Sequence, residues 1–184
     1  SDFFATVEIA VVWSLLQVID NPRQDVPLIS VLRSPLFGFT PDRLAAIRAL
    51  QKDGDYYDAL LLDDSADTQD FFRTLESLRA AARDETVDVL LWRIYNTCRC
   101  AAVFGAMPGG QARKDNLTAF YTYARQMAGA GKKSLFDFTA HLRTLLENGD
   151  APDLSTRQSA GGVRIMSIHK SKGCLLYTSP SRRD

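Results

Sequence analysis

The sequence predicts a mainly α, bundle-like fold of eight or nine helices. Three features predict it. Up to residue 149 the apolar side chains recur three and four positions apart, the period of a helix with one buried face. Between those runs stand Asn-Pro, Ser-Pro, Thr-Pro, Asp-Gly and Asn-Gly pairs, which start or stop helices. The clear period-two run, at 163–168, comes only after a polar linker and close to the end.

The first helix is expected over 6–20. Val12, Leu15, Leu16 and Ile19 share one face, and Val11, Trp13 and Val18 make the rest nearly as apolar, which predicts a helix central to the core. Asn21-Pro22 ends it, because the residue before a proline is pushed out of the helical region. Asp25 is placed to cap a short second helix with Pro27 in its first turn and Leu28, Val31 and Leu32 facing inward, until Ser34-Pro35 stops it. Phe37-Gly38-Phe39 then reads as a loop carrying exposed aromatics. Thr40-Pro41-Asp42 starts the next helix with a capping hydroxyl, a proline at the first helical position and an acid in the first turn. Its buried stripe is expected at Leu44, Ile47 and Leu50, and Asp53-Gly54 ends it. A short helix over 56–62 and a long one over 68–83 follow, the latter with Phe71, Phe72, Leu75, Leu78 and Ala82 on one face. Thr86 is placed to cap another, which carries Val87, Leu90, Leu91, Ile94 and Tyr95.

Residues 103–110, rich in glycine and proline, read as a break between helices. They are not a phosphate cradle, since the GxxxxGK[ST] spacing is missing and no strand leads into them. The helix behind them, reaching about Ala128, is expected to bury Leu117, Phe120, Tyr121 and Ala124 and to expose Arg113, Lys114 and Arg125. Gly129 to Gly131 release it. Ser134-Leu135-Phe136-Asp137 resembles a capping box, with Asp in place of the usual Glu, for a last helix through Phe138, Leu142 and Leu145 that Asn148-Gly149 terminates. The composition of 150–162 is that of a flexible linker.

With 184 residues, 46% hydrophobic and 24% charged, the chain has ordinary globular composition, and no apolar run reaches the roughly 18 residues of a membrane helix. Cys98, Cys100 and Cys174 are a sparse, odd set, which fits a reducing compartment, the cytoplasm, and Cys98-x-Cys100 lacks the second ligand pair of a zinc site. The zero net charge hides an asymmetry. Residues 1–85 carry 8 Lys and Arg against 15 Asp and Glu, and residues 86–184 carry 14 against 7. A basic half can meet a polyanion; equally, acidic and basic helices can solvate the surface and pair with one another.

The run Val163-Arg164-Ile165-Met166-Ser167-Ile168-His169-Lys170-Ser171-Lys172-Gly173 is a strand that breaks into a basic loop. It delivers a His and two Lys to the carboxyl end of a strand, where open α/β sheets bind ligands. His169 is also readable as a capping or surface histidine. A lone strand leaves backbone groups unpaired, so its neighbouring strands are expected outside this sequence.

This run resembles motif V of the superfamily 1 UvrD-like helicases: an apolar strand, Thr or Ser, an apolar residue, His, two variable residues, Lys and Gly, followed in the family by Leu-Glu-Phe. Phe3-Phe4 with Glu8-Ile9, the run from Val18 to Leu28, Val31-Leu32-Arg33-Ser34-Pro35, Gly105-Ala106-Met107-Pro108-Gly109-Gly110 and the helix of Asn116-Leu117 are similar to the AddA subunit of the bacterial AddAB helicase-nuclease. The likeness covers residues 1–173. It implies a 3′-to-5′ DNA helicase and exonuclease subunit of double-strand-break repair by recombination, using ATP and Mg2+ and working with an AddB-type partner subunit on single-stranded DNA and duplex junctions. In that family this region is the 2B subdomain, a helical insertion in the second RecA-like domain. The resemblance therefore implies that 1–20 is the edge of that domain leading into the insertion, 21–149 the 2B-type subdomain, 150–162 a linker and 163–173 the return into the α/β domain. The P-loop, the Mg-binding acidic motif and the nuclease domain are not in the sequence, so the chain is expected to be inactive alone.

Carried over residue by residue, the resemblance gives Ser167 and His169 to single-stranded DNA, and Lys172 and Gly173 to coupling with the nucleotide. Arg33, Ser34 and Gly38 resemble a loop that touches duplex DNA in relatives. An Arg and a close-approaching Gly suit a phosphate backbone, although Phe37 and Phe39 depart from the usual pattern and Arg33 also reads as a helix-end cation. The sharpest departure follows Gly173. Residues 174–184 (Cys-Leu-Leu-Tyr-Thr-Ser-Pro-Ser-Arg-Arg-Asp) resemble the in-frame translation of a transposase adapter used in sequencing libraries, with Arg182 where that translation has Pro, and are expected to be a non-native tail. A second class of function, a free-standing helical protein-interaction module without catalysis, is the alternative.

Overall fold

The computed structural model describes residues 2–155. They form a 3-10 turn (Phe3–Ala5) and nine α-helices: α1 (Val7–Asp20), α2 (Asp25–Arg33), α3 (Pro41–Leu50), α4 (Tyr56–Leu61), α5 (Ala66–Asp84), α6 (Val87–Thr97), α7 (Cys100–Gly105), α8 (Gly110–Gly129) and α9 (Leu135–Glu147). Among the described residues there is no strand, and no helix is long and apolar enough to cross a membrane. The expected strand at 163–168, the linker beyond 155 and the tail at 174–184 lie outside the described residues.

Helix α1 is the centre. Ile9, Val12, Leu16 and Val18 are all fully buried, and since residues two apart point about 200° away from each other, burial at both 16 and 18 needs neighbours on both sides. They come from α2, α5, α8 and α9. Each such side chain contributes about 1.5–3 kcal/mol by leaving water. The helix stops where Asn21 takes an extended φ of −147° before Pro22, as the sequence predicts. Two further starts also follow the local signal: the Thr40 hydroxyl accepts from the Arg43 N–H, and the Ser134 hydroxyl from the Asp137 N–H.

One polar group breaks the apolar surface of α1. Glu8 is 1% exposed and accepts a hydrogen bond from Arg113 Nη1 at 2.7 Å and one from Asn116 Nδ2 at 2.7 Å, both on α8. Arg113, expected outside, thus points inward. A carboxylate buried without such donors would cost several kcal/mol, so the charge, the fork and the amide are one unit. Burial pushes the Glu8 carboxyl up, but the bonds from Asn116, its own backbone N–H and Arg113 outweigh that and hold it below the usual value.

Several expectations are corrected by contacts between elements. Asp25 does not cap α2; Gln24 stands at that position, and the Asp25 carboxylate accepts from the Tyr56 N–H at 2.8 Å and so caps α4. Thr86 makes no side-chain cap bond, and the Val87 N–H goes to the Lys133 carbonyl at 2.8 Å. Leu50 is 50% exposed, because α3 lies at the edge and buries only Ile47 fully. Helix α5 starts two residues before the expected Thr68. On α8, Tyr123 is buried and Tyr121 only partly so. Residues 103–105 are not a break but the end of α7. The turn after them is tight, since a Cβ on Gly110 would lie 1.9 Å from the Gly105 carbonyl oxygen, so only glycine lets α8 start against α7.

The sign of the Glu8 shift sets an acid dependence. A depressed carboxyl contributes stability that is complete above the ordinary glutamate pKa of about 4.3 and is lost as pH falls through the lower folded value. Urea unfolding of Glu8→Gln should show a loss of about 1–3 kcal/mol at pH 7 and a flatter decline below about pH 4.5 than the parent chain. Equal acid slopes in the two would show that Glu8 is not the group responsible.

Candidate nucleic-acid interface

The loop after α2 is shaped by its own sequence. Ser34 adopts an extended conformation before Pro35, which ends the helix at Arg33. The chain then doubles back: the N–H groups of Phe37 and Gly38 both donate to the Ser34 carbonyl, at 3.2 and 2.8 Å, and the Phe39 N–H donates to Leu32 O at 2.9 Å. Gly38 has φ +70°, a left-handed conformation that disfavours any residue with a Cβ, and open space around it.

Of the three expected duplex-contact residues, two face solvent. Arg33 is exposed and has no ion pair among the described residues, and Gly38 is exposed. Ser34 is buried; its hydroxyl donates to Val31 O at 2.6 Å and accepts from Leu36 N–H at 3.3 Å, so it holds the loop's shape. Ser167, His169, Lys172 and Gly173 lie outside the described residues.

The aromatics expected to be exposed are anchors. Phe39 is buried with the Arg43 guanidinium over its ring at 5.8 Å, and Phe37 packs edge-on to Phe71 with centroids 5.1 Å apart. Arg43 in turn pairs with Asp63 and, at 3.1 Å, with Asp67. Asp63 is 7% exposed: burial pushes its carboxyl up, but hydrogen bonds from Arg43, Thr68 and Ser65 outweigh this and leave it below the ordinary range. A second clamp, Arg23 on Asp55 and Asp58 at 3.2 and 2.9 Å, ties the α1–α2 turn to α4. These clamps are invisible to local pattern, since each joins residues far apart in the chain.

Among the described residues the pairs join the acidic and basic halves at two places. Arg23, Arg43 and Arg73 engage acids of their own half, while Glu8 and Glu85 take Arg113 and Arg93 from the basic half. Arg33 and Arg99 have none of these partners. Arg99 is also the one non-glycine residue at positive φ among those described, with φ 54° and ψ 42°, a conformation that costs about 1–2 kcal/mol. It lines a cleft of about 450 Å³ together with Leu36, Phe37, Thr74, Thr97, Cys98, Ala102 and Val103. Burial pushes the Cys98 thiol up to about 12 and the Cys100 thiol well up too, so neither is a ready nucleophile or metal ligand. In the loop the Arg33 guanidinium is the donor a phosphate could meet; the Gly38 N–H is already given to Ser34 O, so this glycine offers only close approach without a Cβ, and the loop itself holds no acid–base pair.

No family model matches the chain. Individual proteins do. It is 42% identical over 182 residues to the AddA subunit of the ATP-dependent helicase/nuclease of Acetivibrio thermocellus, covering 93% of the chain and 14% of that protein. The subunits of the same name from Geobacillus kaustophilus and Listeria monocytogenes are 40% and 38% identical, over 94% of the chain and 15% of each. The chain belongs to the AddA family of helicase/nuclease subunits. It spans about 14–15% of the length of these relatives. In AddA terms the resembling blocks now have physical meanings: Glu8 and Asn116 meet in the buried node, and Gly110 is the close approach of α7 and α8.

The loop's dependence on Arg43 is testable. Arg43→Ala leaves Asp63 buried without its cation and should cost about 2–4 kcal/mol by urea unfolding. Arg43→Lys should recover less than half of that, because an ammonium cannot fork to two carboxylates and cover Phe39 at once. Full recovery by lysine would reduce the clamp to point charge alone.

Proposed function

We propose that this AddA-family chain is the 2B-type helical insertion of a UvrD-like motor, and that its Arg33–Gly38 loop touches the phosphate backbone of duplex DNA ahead of the fork. Residues 1–20 lead in from the second RecA-like domain, 21–149 form the insertion, 150–162 link back and 163–173 re-enter as motif V. The whole subunit is a 3′-to-5′ DNA helicase and exonuclease that uses ATP and Mg2+ with an AddB-type partner in cytoplasmic double-strand-break repair. Here Ser167 and His169 grip single-stranded DNA without reading it, and Lys172 and Gly173 couple that grip to the nucleotide. The observation that carries this reading is 40–42% identity, across nearly the whole chain, to proteins named as the AddA subunit of an ATP-dependent helicase/nuclease. The exposed, unpaired Arg33 beside an open Gly38 is what a phosphate contact needs.

On this reading the 184-residue chain by itself should bind DNA weakly and turn over no ATP. Fluorescence anisotropy with a fluorescein-labelled duplex of about 16 base pairs should give an affinity that falls several-fold as salt rises from about 50 to 200 mM, and that Arg33→Ala weakens further. Salt-independent binding, or phosphate release from ATP by the chain itself, would overturn the assignment.

A further inference from the structure

The cleft bordering the loop combines features that no DNA-backbone contact requires. It is walled on one side by the loop itself, through Leu36 and Phe37, and by Thr74 of α5, the Thr97–Arg99 corner between α6 and α7, and Val103 of α7. None of its lining residues is acidic. Its volume of about 450 Å³ falls within the range of small-ligand pockets, roughly 300–1,000 Å³. The lining joins a cation and two hydroxyls, which suit phosphate and sugar, to aromatic and aliphatic walls, which suit a base. Arg99 is exposed, unpaired and held in the left-handed region, and residues kept in such conformations cluster at ligand sites.

We infer that this cleft receives one unpaired nucleotide of single-stranded DNA, with Arg99 on its phosphate, Thr74 and Thr97 as further donors, and Phe37 and Val103 against its base. The inference rests on the DNA-contact reading of the Arg33–Gly38 loop and extends it: the loop holds duplex, and the cleft beside it takes a nucleotide released where the duplex frays. Nothing in the lining reads a particular base edge, so binding is independent of sequence.

The test uses the 184-residue chain, a fluorescein-labelled oligothymidylate of about 12 nucleotides and the blunt duplex, at low salt. Arg99→Gly removes the guanidinium while placing at φ 54° the residue that best tolerates it, so the fold is kept and the melting temperature stays level or rises. It should weaken oligothymidylate binding by about tenfold and duplex binding by less than about twofold, whereas Arg33→Ala should do the reverse. Phe37→Leu should lower single-strand affinity several-fold, and circular dichroism checks that it folds. If Arg99→Gly binds oligothymidylate like the parent chain, or weakens both probes equally, the cleft is not a nucleotide site. Arg33→Ala decides separately on the loop: if it still weakens duplex, the loop reading stands, and if neither variant changes either affinity, both readings fall.

Discussion

The carboxylate of Glu8, almost wholly out of water, decides how the bundle is assembled. A helix as apolar as α1 can meet its neighbours in many registers for similar burial. A buried charge admits few. Glu8 needs donors, and α8 supplies them from Arg113 and Asn116, more than one hundred residues along the chain. Meeting that need places the start of α1 beside the first turns of α8, and the same turns are where Gly110 lets α7 come in close. Tyr95 then completes the join between α6 and α8 with a buried hydroxyl donating to Leu117 O at 2.7 Å.

From this centre the ordering passes outward by clamps rather than by more core. Arg23 and Asp25 tie the α1–α2 turn and α2 to α4, and Arg43 ties Phe39 to the α4–α5 turn. The loop between Arg33 and Thr40 is therefore supported on both sides, with its aromatics turned inward and Arg33 and Gly38 outward. A loop fixed this way can present a cation to a phosphate without first being ordered by it, which lowers the cost of binding. The cleft under Phe37 belongs to the same construction, because its walls are the loop and the corner that holds Arg99.

Where the determining signal is local, the sequence is legible. The caps at Thr40 and Ser134, the stop at Asn21-Pro22 and the central burial of α1 all follow from neighbours in the chain, and all are found. Three of the differences share one cause, a partner distant in the chain. Asp25 satisfies a helix 31 residues away, Phe39 is buried under Arg43 and Phe37 partly buried against Phe71 of α5, and Arg113 turns inward for a partner that no periodicity reveals. Helix α7 escapes local pattern because its end runs into a glycine- and proline-rich turn that reads as a single break. Of the candidate site, Arg33 ends α2, and Ser34, which is buried, and Gly38, which is exposed, lie in the turn after it. The left-handed Arg99 and its cleft have no sequence signal, since only backbone dihedrals and tertiary contact disclose them.

Our proposal is that a bundle locked through Glu8 holds the Arg33–Gly38 loop ready for DNA, and amide hydrogen exchange tests this most directly, with the chain alone and saturated with a duplex bearing a 3′ single-stranded tail. Slowed exchange confined to residues 33–40 and 97–103, with α1 and α8 already protected and unchanged, is the expected result. Protection spread over α1 and α8 on DNA addition, with none at 33–40, would show that DNA orders the bundle instead of docking on a finished one, and would contradict the claim.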